Sequence, residues 1–187
     1  MSSCSPALGF LAELNEEVKR RGLGRVVIVG GFAVELYSGG AYGTGDVDFV
    51  IDTPKVGEAK RIFEELTTKR GWRRMSRVYE GPGALYLDLV GYTYTGRVKE
   101  LRICGGSVYV QSPEDAIVSS LNACAYRESP ADCERAAAVL SAQREHLDWG
   151  YLLELARRNG VDKKLEEMRR VVEKTFSALQ DVVGERS

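Results

Sequence analysis

Apolar positions at the start of the chain fall at helical spacing. Leu8, Leu11, Leu14 and Val18 form one stripe, Ser5-Pro6 supplies a cap and a proline at the first helical position, and Gly22 closes the segment. Residues 25–29 are a short β-branched run that ends in Gly30-Gly31 before Phe32-Ala33-Val34-Glu35-Leu36-Tyr37, so they predict a buried strand feeding a short helix. Ser38-Gly39-Gly40 and Gly43-Thr44-Gly45 break that helix. Residues 46–51 alternate, with Asp46, Asp48 and Val50 on one side and Val47, Phe49 and Ile51 on the other. This strand has one chemical face and one core face. Thr53-Pro54 opens a further helix whose Val56, Ala59, Ile62, Phe63 and Leu66 share a stripe, and Gly71 closes it.

From residue 72 to residue 110 the period shortens. Strands are predicted at 72–79, 84–92, 98–103 and 107–110, separated by Gly81-Pro82-Gly83 and Gly105-Gly106 among other turn residues, which suits antiparallel or mixed additions to a sheet. Ser112-Pro113-Glu114-Asp115 and Ser129-Pro130-Ala131-Asp132 both place a cap serine before a proline and an acid, and helices near 113–126, 130–142, 148–158 and 162–183 follow. The expected fold class is α+β: a mixed β-sheet flanked by helices over residues 1–111, then a C-terminal helical unit over residues 112–187 packed on that core. The last helix carries Val161, Leu165, Met168, Val172, Phe176 and Leu179 with Val171 and Val183, a stripe that faces a core or an oligomer contact. The oligomeric state stays open.

Composition adds exclusions. The 26 basic and 27 acidic side chains nearly cancel, so no net field points to nucleic acid, a membrane or an acidic substrate, and a polyanion has to be met by a local patch. No apolar run approaches the ~18–20 residues that span a bilayer, and no signal-type segment opens the chain, so a cytoplasmic protein is expected. Cys4, Cys104, Cys124 and Cys133 show no Cys-x-x-Cys spacing and His146 is the lone histidine, which argues against a zinc site. Cys124 and Cys133 bracket a predicted helix-helix turn and could pair in an organism that keeps intracellular disulfides. Reduced, buried thiols are the simpler expectation.

The chemistry gathers around three aspartates. On a strand, Asp46 and Asp48 project from one face with α-carbons ~6.6 Å apart and can converge on one ion or two adjacent ions. A hard cation such as Mg2+ or Mn2+ suits them, completing its shell with water and phosphate oxygens. Asp88 stands in an otherwise apolar strand, where an unpaired carboxylate costs several kcal/mol, so it too calls for a partner. Gly30 and Gly31 lack β-carbons and let a phosphate approach backbone amides at a helix start, and Thr44 adds a hydroxyl.

The order Val29-Gly30-Gly31-Phe32-Ala33, Thr44, Asp46-Val47-Asp48 and Asp88, followed by Ser112-Pro113-Glu114-Asp115, resembles the nucleotidyltransferase superfamily of DNA polymerase beta type. Within it the chain is similar to small prokaryotic members, the minimal nucleotidyltransferases and toxin nucleotidyltransferases of abortive-infection type. The resemblance spans roughly residues 25–160. It implies that Gly30, Gly31 and Thr44 hold a nucleoside triphosphate, that Asp46, Asp48 and Asp88 bind the metals, and that Asp88 also acts as base. A hydroxyl of an RNA, a protein or a small molecule would attack the α-phosphorus, with two ions ~3.5–4 Å apart stabilising the entering and leaving oxygens. An antitoxin partner is a further implication. Two positions depart from the pattern: many relatives have an arginine where this chain has Tyr42, and a lysine where it has Ser120. Arg127, Arg135 and Arg144 are the candidate substitutes, and an inert, nucleotide- or partner-binding module is the alternative function.

Other features read as ordinary surface or packing. Tyr86, Tyr92 and Tyr94 are expected to pack rather than stack on bases. Arg70, Arg73, Arg74 and Arg77 beside Trp72 could track a nucleic-acid backbone, although a solvated surface is the simpler account.

Overall fold

A computed structural model describes residues 5–82 and 85–184. In chain order the elements are α1 (Pro6–Arg20), β1 (Arg25–Ile28), α2 (Gly30–Tyr37), β2 (Asp46–Asp52), α3 (Val56–Lys69), β3 (Arg73–Met75), β4 (Val78–Glu80), β5 (Tyr86–Gly91), β6 (Val98–Ile103), β7 (Gly106–Gln111), α4 (Pro113–Tyr126), α5 (Pro130–Gln143), α6 (Trp149–Arg158) and α7 (Asp162–Gly184). The fold is α+β. Cys4, Gly83 and Ala84, the last two belonging to an expected turn and strand start, lie outside the described residues, as do the side chains of Leu179 and Val183. The chain forms two compact units, one from its start to Ala33 together with Gly43–Ser112, the other from Val34–Tyr42 together with the chain from Pro113 onward.

The first unit is a seven-stranded mixed sheet in the order β3-β4-β5-β2-β1-β7-β6. β1 lies inside it, antiparallel to β2 and parallel to β7. Val26, Val27 and Ile28 are all 0% exposed, which accounts for the unbroken apolar run: a strand covered on both faces has no side to leave polar. On the core face Val47, Phe49, Ile51 and Leu87 are fully buried. Phe63 of α3 anchors that layer, with ring centroids 5.4 Å from Phe49, 6.0 Å from Phe10 of α1 and 4.8 Å from Tyr79 of β4, all edge-on. Buried Asn15 of α1 is satisfied by two strands: its Nδ2 donates to Ser107 O at 2.7 Å, and its Oδ1 accepts from Val26 N–H at 2.8 Å.

Three local expectations change. The single strand expected at 72–79 is a hairpin, β3 and β4 joined through Ser76-Arg77, with Ser76 at φ +61°. A serine in that left-handed position gives no glycine or asparagine signal, so the sequence reads straight through it. Gly30 and Gly31 form the first turn of α2 itself rather than a tight turn just before it. The strand expected from residue 84 begins at Tyr86.

The second unit is a helical core in which Val34 of α2 is buried with Ile117, Leu121, Val139, Leu140, Leu152, Leu165 and Val172. Val161, Leu165 and Val172 face that core, while Val171 is 65% exposed. Ser129 caps α5 by accepting from Asp132 N–H, and Asp148 caps α6 by accepting from Tyr151 N–H. Cys124 and Cys133 form a disulfide between α4 and α5, which overturns the expectation of reduced thiols. Their position on either side of a helix-helix turn leaves pairing open in the sequence; the packing of α4 on α5 brings the two α-carbons to 4.9 Å and decides it. Cys104 is disulfide-bonded as well. Among the described residues no helix is long and apolar enough to cross a membrane.

Candidate active site

β2 and β5 run parallel with Asp46 opposite Tyr86, Val47 opposite Leu87 and Asp48 opposite Asp88. Because side chains alternate, Asp48 and Asp88 leave the sheet side by side on the face opposite Phe49 and Leu87, and Asp46 leaves it on the same face two residues earlier. The environments are graded. Asp46 is exposed, Asp48 is half-buried, and Asp88 is 8% exposed. Burial pushes the Asp48 carboxyl up from its ordinary range, the negative charges of Asp88 and Asp46 push it further, and Arg77 opposes them. The sheet therefore holds negative charge in a place that favours a cation.

Gly30 closes the site from the other side. It has φ +64°, and a β-carbon built on it would stand 2.5 Å from Asp48 Oδ2. Val29 N–H donates to Asp48 O at 3.0 Å, which ties the end of β1 to this point of β2. Gly31 is less confined: its β-carbon would meet Thr44 Oγ1 at 3.6 Å, an ordinary contact. The Thr44 hydroxyl donates to Asp46 O at 3.1 Å and accepts from Asp46 N–H at 3.3 Å, pinning the turn that leads into β2. All six candidate residues of the sequence thus lie in the sheet unit, at one end of β1, β2 and β5.

Sequence alone places Arg77 only in a basic cluster. At the tip of the β3–β4 hairpin its Nε lies 3.4 Å from Asp88 Oδ2. The rest of the cluster is engaged elsewhere: Arg70 with Glu13 at 2.7 Å, Arg73 with Glu80 at 2.6 Å, and Arg74 Nε with Ser76 O at 3.0 Å. No continuous basic track is left along these four residues. The other departures lie in the helical unit, where Tyr42 donates to Glu134 Oε2 at 3.5 Å and Ser120 is buried. Arg135 pairs with Asp132 at 3.0 Å, and Arg144 pairs with Glu145 at 2.9 Å and lies 3.7 Å from the Phe176 ring centroid.

The donor chemistry fits a divalent cation of magnesium or manganese type. The donors are carboxylate oxygens, they carry like charge that one guanidinium only partly offsets, and the absent β-carbon of Gly30 keeps Asp48 accessible. Among the described residues no three or more His, Cys, Asp or Glu side chains are grouped so that they could hold a metal ion, so Asp46, Asp48 and Asp88 offer the donor chemistry without an assembled site.

A mixed α+β sheet with aspartates on adjacent parallel strands beside a glycine-opened helix defines a nucleotidyltransferase-like protein. The chain belongs to the family described as "Nucleotidyltransferase of unknown function (DUF6036)", which matches residues 8–181. Its fold is shared with an antigenic nucleotidyltransferase-like protein from Paracoccidioides brasiliensis, at 18% identity and a TM-score of 0.58 over 91% of this chain and 94% of that one. A weaker likeness is to ANT(2")-Ia in complex with adenylyl-2"-tobramycin, at 18% identity and a TM-score of 0.49 over 92% of this chain and 99% of that one. No protein of curated function matches the sequence.

Proposed function

We propose that the protein transfers a nucleoside monophosphate from a nucleoside triphosphate to a hydroxyl acceptor, using Asp46, Asp48 and Asp88. The observation that carries this reading is the lateral pairing of Asp48 with Asp88 across β2 and β5, beside Gly30 at the start of α2. A Mg2+ or Mn2+ ion held by the three carboxylates would neutralise charge at the reacting phosphate. Gly30 and Gly31 offer unobstructed backbone at a helix N-terminus for the triphosphate oxygens. Asp88 takes the proton of the acceptor hydroxyl as its oxygen bonds to the α-phosphorus. The bond from that phosphorus to the bridging oxygen breaks and pyrophosphate leaves.

The acceptor class is RNA, a protein or a small molecule, and it is identified by incubating labelled triphosphate, Mg2+ and a cell extract with the wild type and with Asp46→Asn. Label that depends on Asp46 supports transfer and marks its acceptor. Nucleotide binding without label or pyrophosphate, across all four triphosphates, supports the alternative of an inert binding module, which the Arg77–Asp88 ion pair favours. A toxin role with an antitoxin partner rests on resemblance, and growth arrest that vanishes in Asp48→Asn tests it. A cytoplasmic location, given the Cys124–Cys133 bond, requires a host that keeps disulfides inside its cells.

A further inference from the structure

The ion pair between Arg77 and Asp88 is asymmetric. The Arg77 side chain is 85% exposed, whereas that of Asp88 is 12% exposed. Asp88 is therefore the partner that needs neutralising, because a buried carboxylate left alone loses its hydration without compensation. Arg77 can leave at little cost, since an exposed guanidinium keeps most of its water in either position. The hairpin fixes where it waits: Val78 pairs with Asp88 across β4 and β5, and Arg74 Nε holds the Ser76 carbonyl at 3.0 Å.

We propose that Arg77 is a displaceable internal counter-cation of the carboxylate site, neutralising Asp88 in the free protein and giving it up when a divalent cation enters. The proposal rests on reading Asp46, Asp48 and Asp88 as metal carboxylates. It makes Arg77 a residue that sets metal affinity by competing for the same oxygens, and it reconciles a buried aspartate occupied by arginine with a site built for an ion.

The test is Mn2+ binding without nucleotide, monitored through the loss of the free-ion electron paramagnetic resonance signal at neutral pH and low salt. Arg77→Ala is expected to bind Mn2+ about three- to tenfold more tightly than the wild type, the scale of one modest ion pair, and Arg77→Lys to stay within about twofold of it. In an Asp88→Asn background, removing Arg77 should change the affinity by less than about twofold. A merely structural arginine predicts equal or weaker binding in Arg77→Ala, and that result overturns the proposal. Arg77→Gln, close in length and uncharged, discriminates in the same way if the alanine variant does not fold. Absence of Mn2+ binding in every variant overturns the metal reading and this proposal together. Tighter binding in Arg77→Ala without nucleotidyl transfer supports the proposal while counting against the enzyme reading.

Discussion

Gly30 and Asp48 are matched by a missing atom: at φ +64°, any β-carbon on residue 30 would stand 2.5 Å from Asp48 Oδ2. Gly30→Ala must adopt a left-handed backbone at ~1–2 kcal/mol and also displace a carboxylate. Nucleotidyl transfer and divalent-ion binding should both fall by at least about tenfold. Gly31→Ala, with only an ordinary 3.6 Å contact to Thr44, should fold and bind nearly as the wild type. Paired melting curves and Mn2+ titrations distinguish the two. Equal effects at both positions would show that the turn, not the approach to Asp48, is what the glycines serve.

Under the proposed function, Asp48 sets activity against stability. Its carboxyl titrates above the ordinary value of 3.8 through burial and the charges of Asp88 and Asp46, so the folded state holds this proton more tightly than the unfolded chain. The sign follows: the contribution is full below the unfolded pKa and is lost as pH rises through the folded one. Without metal, Asp48→Asn should melt about 1–3 °C above the wild type at neutral pH, with the gap closing below about pH 4. Added Mg2+ should raise the melting temperature of the wild type more than that of the variant. A variant that melts lower than the wild type at neutral pH contradicts this account.

The first half of β2 was legible because alternation is a strong signal: Val47 and Phe49 are buried and Asp46 and Asp48 are not, whereas Val50, expected on the chemical face, is buried where the register with β5 shifts. Asp88 is conspicuous as a charge within an apolar run, and the register of β5 on β2 gives it a neighbour. Arg77 was not legible in that role. Its meaning depends on a reversal at Ser76-Arg77 that no glycine or asparagine announces, and on β4 pairing with β5 to bring the tip back to Asp88. The glycine pair reads as a turn in sequence, and only the backbone shows it as a helical first turn whose first residue faces a carboxylate.

The Cys124–Cys133 bond closes a short loop between α4 and α5. Replacing both cysteines by serine should cost about 2–3 kcal/mol and lower the melting temperature by about 5–10 °C. Calorimetry with and without reductant measures it. If the serine pair melts like the wild type, helix packing alone sets the geometry of that hairpin.

Phe63 joins Phe10, Phe49 and Tyr79 beneath the site. Phe63→Ala should destabilise the sheet unit by about 3–5 kcal/mol, a cost of lost burial plus cavity, measured by urea unfolding. Phe63→Leu, which keeps most of the volume, should recover more than half of that loss.

The parallel pairing of β2 with β5 also sets when the site comes into being. α3, β3 and β4 lie between the two strands in the chain, so Asp48 and Asp88 meet only through a long-range closure of the kind that forms slowly. β1, α2 and β2 are consecutive and can bring Gly30 to Asp48 well before Asp88 arrives. A slip of β5 by one residue would turn Asp88 toward Phe63 and put a leucine among the carboxylates, so the core rejects the misaligned sheet before any substrate could. The pairing of Asp48 with Asp88 is thereby tied to the register of one long-range strand contact rather than to any local segment of the chain.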